Sequence, residues 1–357
     1  MKFDDIRKKV EAGGRLSREE GLFCLTEAPL MELGELATFA RRRAVGENAY
    51  YQYNYNINYT NICENECKFC AFFRKEHDGY QMSPDQIADN VRRVHAGGVN
   101  EVHIVGGLNR KLPYCYYLET LKAIKAVDRH IHIQGFTAVE IAFIAEIGGK
   151  TTRETLAELH AAGLDSLPGG GAEIFADRVR QEICEKKVPA ETWLRVHEEA
   201  HGLGLHTNAT MLYGHVETPV EVIDHLDQLR TLQDRTHGFQ AFVPLAFFPQ
   251  NTKIELPTVR RGGVHDMRLI ATARLYLDNL PHLKSMWMIY GYKLCQVGLE
   301  FGADDIGGTY FDEEIVHSAG AKTPKSLTEA DIRALISGVN RTPVMVNSDY
   351  ETVGGDR

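Results

Sequence analysis

The chain has 357 residues, 43% of them hydrophobic, enough to bury a large core in one large or two medium domains. Its formal net charge of −9 argues against a nucleic-acid surface. Seven cysteines, an odd number, and no secretory apolar stretch at the start argue against a disulfide framework.

In chain order, Met1-Lys-Phe-Asp-Asp-Ile-Arg-Lys-Lys-Val10 predicts an amphipathic helix rather than a signal. Residues 1–50 are expected to form a helical N-terminal extension, placed as a cap on the main domain. Tyr53 to Tyr59 predicts the first strand, and a cysteine-rich loop comes directly after it. Ser83-Pro84-Asp85-Gln86 has the chemistry of a helix start: an N-cap, proline at the first position and Gln three residues after the cap. Glu101 to Val105 reads as a strand ending at Gly106-Gly107. Ile131 to Gly135, Leu164 to Leu167 and His206 to Leu212 are the next strands, and Thr218-Pro219-Val220-Glu221 opens another capped helix. Phe239 to Phe248, Met286 to Tyr290 and the segment at Asp304-Asp305-Ile306 complete eight strands. Residues 321–357 are expected to form a helix, starting near Thr328, and a polar tail. The longest nearly apolar run, Ala241 to Pro249, is too short to cross a bilayer, so no membrane span is expected.

Strands alternating with helices predict an α/β fold, a (β/α)8 TIM-type barrel over residues 51–320. A doubly wound open sheet is the alternative that periodicity leaves open. In a barrel, chemistry gathers at the C-terminal ends of the strands, which is where a loop after the first strand falls.

That loop reads Cys63-Glu-Asn-Glu-Cys67-Lys-Phe-Cys70. Three thiolates at this spacing suit three irons of a cubane [4Fe–4S] cluster and leave the fourth iron open. A zinc knuckle completed by a distant histidine, or a disulfide pair with a spare thiol, are the competing readings. Cys24, Cys115, Cys184 and Cys295 are scattered singly and read as small packing residues. Gly106 and Gly107, at a strand end, let backbone approach a ligand closely. Gly169, Gly170 and Gly171 are expected to lead into a helix whose N-terminal amides face a ligand, with Glu173 in its first turn. His130-x-His132 has no carboxylate spaced with it, so no second metal site is expected.

The Cys-x3-Cys-x-aromatic-Cys pattern, with Phe69 as its aromatic, resembles the radical S-adenosylmethionine (SAM) superfamily. Phe136-Thr-Ala-Val-Glu-Ile141, Asp165 to Phe175, Thr207 to Thr218, Gly238 to Phe247 and Phe301-Gly-Ala-Asp-Asp305 resemble the aminofutalosine synthases of the futalosine route to menaquinone. The cyclase of the same route shares Pro168 to Ile174 and Ala209-Thr-Met211, and the deazaflavin-cofactor synthases also share parts of the resemblance. The resemblance implies an open cluster on Cys63, Cys67 and Cys70 that chelates SAM, with Phe69, Gly106, Gly107, Gly169, Gly170, Glu173 and Asn208 around it. Leu108 stands where relatives carry an acidic residue, so only the backbone role carries over there. It further implies a flavodoxin or ferredoxin as electron donor and a reducing, cytoplasmic setting. The implied reaction adds a 5′-deoxyadenosyl radical to 3-[(1-carboxyvinyl)oxy]benzoate, with aryl migration and loss of carbon dioxide, giving 6-amino-6-deoxyfutalosine. Phe72, Met211, Phe247 and Tyr290 are candidate apolar walls for this small-molecule substrate. Arg74, His215 and Lys293 are candidate partners for its carboxylates, and Gln134 and Asn208 are inward-facing polar candidates. The chemistry requires no general acid–base pair. Against these readings stand the cyclase, a deazaflavin-cofactor relative, and a non-catalytic protein with a structural iron–sulfur or zinc loop.

Overall fold

The computed structural model describes residues 1–255 and 262–353. Its strands are β1 (Asn48–Gln52), β2 (Asn54–Asn58), β3 (Glu101–Val105), β4 (His132–Gly135), β5 (Ser166–Leu167), β6 (His206–Tyr213), β7 (Phe239–Ala246), β8 (His282–Leu283), β9 (Asp305–Gly308) and β10 (Thr342–Met345). Strands β2 to β8 form one sheet in sequence order, and every neighbouring pair is parallel. Helices between them supply the crossovers that parallel strands need. The ring closes through β9. Single parallel bridges join Lys284 to Asp305 and Tyr55 to Phe311. The Thr309 hydroxyl accepts from Asn54 N at 3.0 Å and donates to Asn54 O at 2.8 Å. The fold is therefore the TIM-like barrel that the strand–helix alternation predicts, not an open sheet.

Local chemistry sets the helix entries. The expected cap at Ser83 closes a full capping box with Gln86 ahead of the helix Pro84–His95, and Thr218 does the same with Glu221 ahead of Pro219–Thr236. Strands buried on both faces read as short apolar runs, which is why β3 falls on its predicted residues.

Three expectations need correction. The predicted strand Met286 to Tyr290 is the start of the helix Trp287–Leu299; the strand is the two-residue β8 just before it. A two-residue strand has no period to read, and Trp287, Met288 and Ile289 are apolar because the helix packs on the core. The N-terminal helices do not cap the barrel mouth. They pack on outer helices, where Arg268 of the helix Gly263–Tyr276 donates to the carbonyls of Cys24 and Ala28. The helix Glu329–Ser337 starts at Thr328 as expected, but the tail after it is not merely polar. It adds β10, which pairs parallel to β1, while β1 pairs with β9 on its other side. Residues 354–357 of that tail lie outside the described residues.

The segment after β10 crosses the N-terminal ends of the barrel strands. Ser348 N and Oγ donate to the Glu101 carboxylate at 2.7 and 2.8 Å, Asp349 faces His132 and His206, and Tyr350 stacks on His282 at 3.5 Å. Among the described residues no helix is long and apolar enough to cross a membrane.

Candidate active site

A cavity of about 390 Å³ runs inside the barrel to the C-terminal ends of its strands. Cys63, Cys67 and Cys70 all line it. The loop that carries them is tied at several points: Cys63 N donates to Arg74 O, Lys68 N to Ile183 O at 2.8 Å, and Cys70 N to Cys67 O at 3.1 Å. All seven cysteines are free, so the disulfide reading does not hold. Among the described residues no three histidine, cysteine or carboxylate side chains converge as ligands of one ion. Burial pushes the Cys67 thiol up to about 12 and raises the Cys70 thiol too. Lys187 opposes both rises. Three soft thiols along one cavity wall, beside a buried ammonium, suit a multi-iron cluster that needs them as thiolates.

The glycines form a cradle beside them. A Cβ on Gly107 would come within 2.2 Å of Ile62 O and 2.9 Å of Cys63 Cβ, and one on Gly169 within 2.6 Å of Asn208 O. Gly106 N donates at 2.9 Å to the buried Glu140, which also accepts from Tyr59 OH and from Thr137 N and Oγ1. One carboxylate thus joins the β3 turn to Tyr59 and to the start of the helix Ala138–Gly148. Asn208 Oδ1, in the cavity wall, is buried without a hydrogen-bond partner. An orphaned acceptor beside a glycine cradle is what a missing polar ligand leaves behind.

Glu173 also lines the cavity, but not from a helix. The next helix, Asp177–Cys184, starts later, and Glu173 sits in the loop with φ +50°. The glycines therefore offer bare backbone rather than helix N-terminal amides. Glu173 is paired at 2.5 Å with Lys187, whose ammonium stands 4.9 Å over the Phe69 ring. Burial disfavours charge on Lys187, but Glu173 and the thiols of Cys67 and Cys184 reverse this, and the net shift is upward.

Phe69, Phe72 and Phe247 reach the cavity, as do Gln134 and Asn208. Five other expected residues do not line it. Arg74 turns back on its own loop and donates to the carbonyls of Ala71 and Phe73 at 2.9 and 2.8 Å. Met211 is fully buried on the other side of β6, because Asn208, Thr210 and Leu212 take the inward positions and strand side chains alternate. His215 is held beyond the strand end by Leu212 O at 2.9 Å and Glu217 at 3.2 Å. Tyr290 and Lys293 moved with the misplaced strand. Tyr290 donates from its helix to Pro244 O at 2.9 Å, and Lys293 is exposed on the same helix. Lys187, Glu140, His103 and Lys284 line the cavity without having been singled out from sequence. Lys187 hides as the second of two adjacent lysines, a pattern that reads as solvated. Glu140 was legible as the third residue after a Thr cap.

Comparison with known proteins agrees with this arrangement. Residues 57–229 match the radical SAM superfamily, and residues 236–354 match the CofH/MqnC C-terminal region. The chain is 42% identical to an aminodeoxyfutalosine synthase of Thermus thermophilus, over 98% of this chain and 95% of that one. It is 38% identical to a 5-amino-6-(D-ribitylamino)uracil–L-tyrosine 4-hydroxyphenyl transferase of Methanococcoides burtonii, over 98% and 99%. In fold it is similar to the FeFe-hydrogenase maturase HydG of Carboxydothermus hydrogenoformans, with TM-score 0.76 and 15% identity over 97% of this chain and 80% of that one. It is similar also to methylornithine synthase, with TM-score 0.73 and 16% identity over 94% and 96%. A [4Fe–4S] cluster and SAM are the cofactors of the superfamily, and the thiols and glycine cradle fit both. The chain belongs to the radical SAM superfamily, in the group of enzymes that includes the aminodeoxyfutalosine synthases.

Proposed function

We propose that the protein joins the adenosyl group of SAM to 3-[(1-carboxyvinyl)oxy]benzoate, giving 6-amino-6-deoxyfutalosine, methionine and carbon dioxide, as a step toward menaquinone. The observation that carries this is the likeness to an aminodeoxyfutalosine synthase at 42% identity over nearly the whole of both chains. Cys63, Cys67 and Cys70 would hold three irons, and Gly106, Gly107, Gly169, Gly170, Glu173 and Asn208 would surround SAM. Bound there, the cluster and SAM would supply a 5′-deoxyadenosyl radical, the electron coming from a donor such as a flavodoxin or ferredoxin. The residues' own work is placement and exclusion. Phe72, Phe247, Leu245 and Met286 wall the cavity with apolar surface, which keeps water from a reactive carbon. Lys187 holds Glu173 against the cradle and sets positive charge beside the thiols. The setting is a reducing compartment, which the cytoplasm provides.

A second reading is favoured by the 38% likeness to the 4-hydroxyphenyl transferase, which covers as much of the chain. The test is anaerobic incubation of reconstituted protein with SAM, dithionite and each candidate separately, read by mass spectrometry. The candidates are the carboxyvinyloxybenzoate, tyrosine with 5-amino-6-(D-ribitylamino)uracil, and dehypoxanthine futalosine. Product from the first alone supports the proposal. Product from either of the others, and none from the first, overturns it.

A further inference from the structure

The deep end of the cavity, away from the cysteines, is polar. Asn56 on β2, His103 on β3 and Gln134 on β4 are register partners across three parallel strands, and all three line the cavity. The residue immediately after β8 is Lys284, also cavity-lining and only 6% exposed. Its ammonium donates to Gln52 Oε1 at 2.8 Å and meets Asp305 Oδ2 at 3.0 Å. The Tyr350 ring lies 5.6 Å from the same nitrogen; an ammonium has three N–H groups, and with two engaged by Gln52 and Asp305 the third is the one available to the cavity. His103 is close enough to Lys284 to feel its charge; burial first, and then Lys284, lower the imidazole to about 4. His103 therefore stays neutral, with Nε2 unpartnered, and Asn56 Oδ1 beside it is orphaned as well.

Each neighbouring carboxylate is also held by neutral donors, and Asp305 shares its charge with Lys284. Glu101 has both oxygens engaged by Ser348, at 2.7 and 2.8 Å. Asp305 accepts from Gln52, from Tyr350 OH at 2.7 Å and from Gly307 N at 2.6 Å, besides facing Lys284. What remains without a partner toward the cavity is one N–H of Lys284, the Nε2 of His103 and the Asn56 Oδ1 acceptor.

We propose that Lys284 and His103 form the subsite that binds the aryl carboxylate of the substrate and thereby select an aromatic acid. The inference rests on the proposed function. The carbon that accepts the adenosyl group must meet SAM, which belongs at the cysteine and glycine end. In 3-[(1-carboxyvinyl)oxy]benzoate the group farthest from that carbon is the benzoate carboxylate, which then points to the deep end. The other carboxylate departs as carbon dioxide and needs no lasting counter-charge. The benzoate carboxylate persists into the product, so a fixed cation suits it.

The test compares 3-[(1-carboxyvinyl)oxy]benzoate with 2-phenoxyacrylate, which lacks only the aryl carboxylate. It uses reconstituted holoenzyme of the wild type, Lys284→Gln and His103→Leu, and measures turnover and calorimetric binding. SAM affinity, read from the change in the reduced cluster's EPR signal, serves as control. Lys284→Gln is expected to raise KM for the acid ~10- to 100-fold, the worth of a charge-assisted hydrogen bond, and to erase the preference for the acid over 2-phenoxyacrylate. His103→Leu, which leaves the contacts of Lys284 with Gln52 and Asp305 in place, is expected to reduce the preference ~3- to 10-fold. SAM affinity should not move in either variant. A wild type that converts the acid, with both variants keeping its preference, overturns the subsite alone. A wild type that neither binds nor converts the acid overturns the proposed function and the subsite with it.

Discussion

Replacing Glu140 tests whether the glycine turn after β3 is held for SAM by one buried carboxylate. Glu140 is 2% exposed and accepts four hydrogen bonds: Tyr59 OH at 2.8 Å and Gly106 N at 2.9 Å on one oxygen, Thr137 N at 2.8 Å and Thr137 Oγ1 at 2.7 Å on the other. Gln has the same shape but one acceptor oxygen. If that oxygen serves the Thr137 pair, an amide N–H₂ faces Tyr59 OH and Gly106 N, and two buried donors lose their partner. At ~1–3 kcal/mol for each unsatisfied group, the loss is about 2–6 kcal/mol. Part of it is offset because burial already disfavours the charged carboxylate and raises its pKa. We expect a net cost of about 2–3 kcal/mol, a fall in Tm on the order of 5 °C, and weaker SAM binding through a loosened Gly106 turn. Thr137→Ala, which removes the cap and the Thr137 Oγ1 bond to the carboxylate but leaves Gly106 N and Tyr59 OH on Glu140, should cost about 1 kcal/mol and leave SAM affinity nearer the wild type. Thermal unfolding of the apoprotein and an EPR titration of the reduced, reconstituted protein with SAM measure the two effects. A Glu140→Gln protein with wild-type Tm and SAM affinity would refute the role given to this carboxylate.

Cys67→Ala, like Cys63→Ala and Cys70→Ala, should abolish cluster incorporation and SAM cleavage. Cys24, Cys115, Cys184 and Cys295 should each tolerate Ala, with iron retained at ~4 per chain. Cys184 is the sharpest control, since Lys187 feels both its thiol and that of Cys67; loss of iron without unfolding would make it a fourth ligand. Gly169→Ala places a Cβ 2.6 Å from Asn208 O, so a cost of ~1–3 kcal/mol and loss of SAM binding are expected, and unchanged SAM titration would contradict the cradle. Acid should destabilise the apoprotein. Burial lowers His201 and His103 to about 4 and His225 to about 3, while the unfolded chain takes up these protons near 6.5. Their stabilisation is complete above that value and is lost as pH falls toward 4, at about 1 kcal/mol per histidine per pH unit. Glu101 and Glu140, raised by burial, work the other way but nearer the carboxylate range. Tm should therefore fall between pH 7 and pH 5, and His225→Leu should flatten the fall; an unchanged slope would show that these rings do not carry it.

Most of the barrel is legible because its strands are buried on both faces and its helices open on strong caps. β3 and the helices after Ser83 and Thr218 are such cases. β8 is not legible, because two residues carry no period and the apolar helix behind them imitates a strand. That single misplacement moved the candidate lysine from Lys284 to Lys293. β10 is four residues long and the segment after it is mostly polar, and their tertiary partners, β1 and the strand starts, give them structure. At the site, glycines and cysteines announce themselves by type and spacing. Arg74 and His215 looked available only because sequence does not show the carbonyls that occupy them. Lys187 is the converse: its burial against Glu173 and Phe69 is a fact of packing, invisible in a run of charged residues.

The fate of the adenosyl carbon tests the central claim most directly. Reconstituted protein is given SAM labelled with ¹³C at C5′, a low-potential reductant and 3-[(1-carboxyvinyl)oxy]benzoate, and every labelled nucleoside is quantified against methionine. The account predicts that the label leaves in 6-amino-6-deoxyfutalosine, in step with methionine and carbon dioxide, with little free 5′-deoxyadenosine. Label recovered mainly as 5′-deoxyadenosine, with no adenosylated product, would contradict it.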